Sequence, residues 1–178
     1  VARSTRTVAV ARVAVVSATL ALALTGCSAV SDLFGDDDES EDVERDEDTD
    51  DVTETVENAG IFNIQIGDCI GSFESDDDGM VETVDMFPCD QEYEQQIFLI
   101  TEIAGDELPD DDTLEQQVVD ECVPAFEEFV GSEYSDTSLR INYLSPSPES
   151  WSDDDRDIVC TAYDPEGAVT GTLEGSER

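Results

Sequence analysis

The 178 residues of this chain contain no histidine and no lysine, and every one of the seven basic residues is arginine. Without those two residue types there is no Ser-His-Asp triad, no Cys-His pair, no Ser-Lys dyad and no Schiff base. The usual histidine-based zinc sites are excluded as well. Against the seven arginines stand 47 acidic residues, a formal charge of −40. A chain so short of cations cannot neutralise phosphates, which excludes nucleic acid as a partner. The same field keeps a folded domain off anionic lipid headgroups, so divalent cations, held loosely, or basic partners are its natural counter-ions. Paired carboxylates, as in glycoside hydrolysis, are all that is left for catalysis. With so many acids, candidate pairs are too common to mark a site, and each reads as solvated surface. These absences predict a protein that is not an enzyme and carries no cofactor or structural metal.

Long apolar runs are also missing. The one candidate, Val13 to Leu24, falls short of the roughly 20 residues that a bilayer span needs. It follows Arg3, Arg6 and Arg12 and leads into Leu24-Thr25-Gly26-Cys27, which reads as a lipobox. Residues 1–26 are then a lipoprotein signal peptide, and Cys27 is the lipid-bearing first residue of the mature chain. Val1 fits initiation at a GUG codon, which would make the leader complete. A diacylated cysteine supplies the two-chain anchoring that one acyl chain does not. The expected location is the outer face of a bacterial cytoplasmic membrane, extending into the cell wall. All 47 acids lie after Cys27, against four remaining arginines, so the mature chain carries −43.

Five cysteines become an even set of four once Cys27 is assigned to lipid. Cys69, Cys89, Cys122 and Cys160 in an exported chain read as two disulfides. A zinc site of four thiolates competes, but there is no C-x-x-C knuckle. Three pairings are open; Cys69–Cys89 and Cys122–Cys160 are favoured, closing loops of about 20 and 40 residues and adding roughly 3–4 kcal/mol each.

From Asp36 to Glu57 there are 14 acids, one arginine and no aromatic. Such a stretch cannot bury enough surface to offset its ordering entropy. Residues 27–59 are therefore expected to be the lipidated cysteine and a disordered acidic tether. The folded unit is expected over 60–174, with a short tail at 175–178. Within it, Phe62, Ile64 and Ile66 alternate as a half-buried strand, and Met80 to Phe87 returns as its hairpin partner. Ile97 to Ile100 reads as a central strand, Leu139 to Tyr143 and Ile158 to Ala162 as two more, and Val169 to Leu173 as an edge strand. The apolar stripe Leu114, Val118, Cys122, Phe126 and Val130 predicts a helix over 114–130, with a capping box from Thr113 to Gln116 and a kink or break at Pro124. The fold class is α+β: a small, mostly antiparallel sheet packed with one main helix and stapled by two disulfides.

Glu74 to Asp85 places acids near calcium-loop positions, but position 12 is Asp85 and the flanks read as strands. A hairpin turn explains it better, and Asp153-Asp154-Asp155 reads as another acidic loop. Trp151 is either a binding aromatic or a lid over the core. Arg156 is expected to form an ion pair with Asp68 or Asp90.

The residues Gly67-Asp68-Cys69, Pro88-Cys89-Asp90 with Glu94 shortly after, Cys122 with Phe126 and Val130-Gly131, Pro146, Trp151, Asp155-Arg156 and Cys160 together resemble the septum formation domain of exported, often lipid-anchored actinobacterial proteins. The resemblance spans about 60–174. It implies an association with septation and the cell envelope, and no defined chemistry. That family usually carries a histidine after Pro-Cys, where this chain has Tyr93. Asp68, Trp151, Asp155 and Arg156 are the candidate structural or binding residues. The expected function is a non-enzymatic envelope lipoprotein whose domain binds an envelope protein or cell-wall component during septum or wall assembly. A cation- or small-ligand-binding sensor is the alternative, and a carboxylate-dependent wall hydrolase the distant third.

Overall fold

The computed structural model describes residues 43–75 and 80–178. Six strands form one sheet in which every pairing is antiparallel: β1 (Val56–Gly60), β2 (Cys69–Ile70), β3 (Thr83–Phe87), β4 (Gln95–Glu102), β5 (Arg140–Leu144) and β6 (Asp157–Tyr163). Their spatial order is β1-β3-β2-β4-β6-β5. The main helix α1 (Asp111–Val130) connects β4 to β5, and a single turn of helix, α2 (Pro148–Ser152), connects β5 to β6. The expected α+β class, the antiparallel sheet, the main helix and both favoured disulfides are all present.

Successive residues of a strand point to opposite faces, so the sheet divides two cores. Along β6, Ile158, Cys160 and Ala162 join the core under α1, while Val159 joins the other. On the α1 face the helix contributes Val118, Cys122, Phe126 and Val130, all buried. Phe98 meets Phe126 edge-on and stacks on Phe129, each at 5.7 Å between ring centres, and Tyr134 closes on Phe126 at 5.3 Å. Cys122–Cys160 bolts the helix to β6 in the middle of this cluster. Cys69–Cys89 joins the start of β2 to the turn that follows β3.

Three local expectations change, at the start of α1, at Pro124 and over residues 61–66, while the expected helix end at Val130 stands. The helix begins three residues before Leu114, because Asp110 rather than Thr113 is the N-cap: its carboxylate accepts the Thr113 N–H at 3.1 Å. Pro124 does not divide α1. It lies on the exposed side, as does Asp120, whose carbonyl it leaves without a helical partner, while Cys122 and Phe126 are anchored on the inner side. The helix ends where Gly131 takes φ +83° and its N–H reaches the Glu127 carbonyl, a left-handed cap that glycine adopts without strain. Residues 61–66 are not a strand: Ile61–Asn63 forms one 3-10 turn, leaving Phe62 81% and Ile66 58% exposed, while Ile64 is buried.

The largest correction concerns the tether. Of the stretch 27–59, residues 27–42 lie outside the described residues, but 43–59 belong to the fold. Arg45 pairs with Val52 in an isolated bridge, and Val52, Val56 and Ala59 are buried in the second core. Three small apolar residues at a spacing of three to four suffice, because the acids between them all point outward. Residues 175–178 are not a loose tail either. Gly175 and Glu177 donate their N–H groups to the carbonyls of Phe129 and Val130, and Arg178 pairs with Asp164 at 3.2 Å. The expected edge strand at 169–173 is a single bridge from Val169 to Tyr93, followed by Leu173, which is fully buried.

Candidate functional site

Asp68 follows Gly67, whose φ of +102° turns the chain into β2. Its carboxylate is 4% exposed and is held by Arg45, not by Arg156, the partner expected from the sequence. The two guanidinium nitrogens of Arg45 bond the two carboxylate oxygens at 2.7 and 2.8 Å, a bidentate fork. The same nitrogens donate to the carbonyls of Asp50 and Asn63 at 2.9 and 3.0 Å. Asp68 also accepts the Gln65 N–H at 2.7 Å. The hydrogen bond and charge of Asp68 raise the Arg45 pKa further, against an opposing effect of burial. One ion pair therefore fixes the N-terminal segment and the 61–66 loop against the sheet. On that fixed loop Phe62 and Ile66 project into solvent.

Arg156 has another use. Its guanidinium lies 3.7 Å over the Trp151 ring, and its Nη1 donates to the Trp151 and Asp155 carbonyls, both at 2.7 Å. Asp154 is 3.6 Å away. Trp151 rests on the α1-face core, so it is a lid rather than a free aromatic. Trp151, Asp155 and Arg156 are thus together. Asp68 is not with them: its carbonyl takes the N–H of Ile97 near the start of β4, whereas the Arg156 carbonyl takes that of Ile103, past the other end. Asp155 accepts the Asp157 N–H at 3.1 Å. Burial raises the Asp157 pKa, and the neighbouring charges of Asp155 and Glu102 raise it further.

Tyr93 is buried, and its hydroxyl donates to the Gly171 carbonyl at 2.5 Å. Burial pushes its pKa up to about 12. It serves as a post for the C-terminal segment. Beside it, Gln96 donates to the Gly67 carbonyl at 2.9 Å and accepts the Leu173 N–H at 2.7 Å. On the opposite face Gln95 accepts from Thr161 at 2.7 Å and from Asn142 at 2.9 Å. Sequence reasoning missed both glutamines, since adjacent amides look like solvated surface until strands close over them. It also missed Phe62 and Ile66, whose alternation with Ile64 imitates a strand.

Among the described residues no three His, Cys, Asp or Glu side chains are placed to hold a metal. Of the 74–85 calcium-loop candidate, residues 76–79 lie outside the described residues. Among the described residues no helix is long and apolar enough to cross a membrane. No curated protein and no solved structure matches the chain. The sequence does match the family described as Septum formation, over residues 39–160. That match includes the segment carrying Arg45. The chain belongs to the septum formation family.

Proposed function

We propose that this protein is a non-catalytic, lipid-anchored envelope protein whose domain engages an envelope protein or cell-wall component during septum formation or wall assembly. The observation that carries the reading is the 61–66 loop. Phe62 is the most exposed large apolar side chain described, and it stands with Ile66 on a loop pinned by a buried bidentate ion pair. A rigid apolar projection loses little entropy on docking, and such projections form the anchors of protein interfaces. Family membership supports the septal setting. The lipobox supports a lipid on Cys27 and a place on the outer face of the cytoplasmic membrane. Lack of histidine and lysine supports a non-catalytic role.

The test is a fluorescent fusion in a dividing actinobacterial cell, with and without F62S/I66S. The parent should concentrate at septa, and the variant should label the membrane evenly while its thermal midpoint stays unchanged. Even labelling by the parent would overturn the septal role, and unchanged septal enrichment of the variant would overturn the role of the loop. Replacing Cys27 by alanine should release the protein from membranes.

A further inference from the structure

The two edges of the sheet are built differently. β1 is bulged between Val56 and Ala59, with Asn58 at φ +56° and its N–H taken by the Asp85 carboxylate at 2.9 Å. Such a bulge twists an edge and blunts it against further pairing. β5 is regular: all five of its residues pair with β6 without a shift in register.

Which of its groups point outward follows from the ladder. Ile97 donates its N–H to Asp68 and accepts from Gly67, so its backbone groups face β2, away from β6. Thr161, paired with Ile97, therefore turns its own groups toward β5, where they meet Asn142. By the same alternation Ile141 and Tyr143 direct theirs to the open side. The Tyr143 N–H is shielded by the Asn142 side-chain oxygen at 3.0 Å. The N–H and C=O of Ile141 and the C=O of Tyr143 have no partner among the described residues. They stand two residues apart, the repeat that an added antiparallel strand requires.

We infer that β5 accepts an extended, lysine- or arginine-rich polypeptide segment as a seventh strand. Charge selects that occupant. The chain carries −40 overall, which repels a second copy of itself and draws a cationic segment. The one cation on β5, Arg140, is folded back onto the carbonyls of Thr137, Ser138 and Leu139 and lies 5.9 Å over the Tyr134 ring, so it does not confront an incoming strand. Tyr143, 38% exposed at the edge, offers a ring face to an incoming cation. Main-chain bonds give such an added strand its affinity and the side chains its selectivity. This inference extends the partner-binding reading but does not depend on the Phe62 loop.

The probe is a short acetylated peptide of alternating lysine and valine, added to the isotope-labelled full chain and followed by amide chemical shift and hydrogen exchange. Exchange at Ile141 should slow by about tenfold or more, and shifts should centre on β5 and Tyr143. N-methylating alternate peptide residues on the pairing edge should weaken binding by about tenfold, since backbone donors are lost with charge unchanged. I141P, which removes an outward N–H, should act likewise, and the N-methylated peptide gives the answer if that variant does not fold. F62S/I66S should bind the peptide as the parent does. Four results would overturn the inference: binding insensitive to N-methylation, shifts centred elsewhere, an Ile141 amide already protected in the free chain, or sedimentation as a dimer without peptide.

Discussion

The two faces of the sheet solve the same problem with different means. The α1 face is closed by a 20-residue helix, three packed phenylalanines and the Cys122–Cys160 staple, and the cysteines of the other bridge pack there too. The opposite face packs Ile70, Met86 and Ile97 with smaller Val52, Val56, Ala59, Val84 and Val159, and has no disulfide. It is covered by an irregular acidic segment, and one buried ion pair holds that segment in place. A covalent bond constrains the unfolded chain, whereas a buried ion pair demands complete partnering in the folded one. The first face therefore rests on a covalent link and the second on a complete set of polar partners.

The sharpest way to break that contrast is to remove the staple. C122A/C160A should cost about 4 kcal/mol, the chain-entropy value for a closed loop of this size, read as a drop in the denaturant midpoint with a steeper slope, because the unfolded chain is released. A loss below that of the next variant would reverse the ranking of the faces. R45M should cost about 3 kcal/mol, because it leaves the Asp68 carboxylate buried without its partner. The companion R45M/D68N should recover much of that loss, and no recovery would mean that Arg45 acts through its carbonyl contacts instead. The smallest effect is a pH dependence confined to the α1 face. The pKa of Tyr93 is raised to about 12, so the native state holds its proton where the unfolded chain has lost it. Stability is intact below pH 10 and falls by about 2 kcal/mol as pH approaches 12, and Y93F should flatten that slope in brief alkaline melts.

The same contrast explains what could be read in the sequence. The α1 face was legible: the four-residue stripe from Leu114 to Val130 and the alternation of Ile158, Cys160 and Ala162 each show one period over many residues. The second face was hidden. Between Val43 and Ala59 acids outnumber apolar residues, and composition argues for disorder although Val52, Val56 and Ala59 meet one core. Alternation over 62–66 misled in the opposite direction, since only Ile64 of the three turned inward. Of the candidate site, Trp151, Asp155 and Arg156 cluster, although Arg156 was expected to pair with Asp68 or Asp90. Asp68 found Arg45, 23 residues upstream, a partner that the tether reading had removed from the fold. The missed glutamines share that cause: a buried amide declares itself only through the strands that satisfy it.

The anchoring of residues 169–178 also sets a clock. Leu173 fills the α1-face core, Gly171 receives the hydroxyl of Tyr93, and Gly175 and Glu177 finish the carbonyls of α1. A chain made N-terminus first therefore carries an unfilled cavity in that core until residue 173 has emerged, and closure of the α1 face comes late.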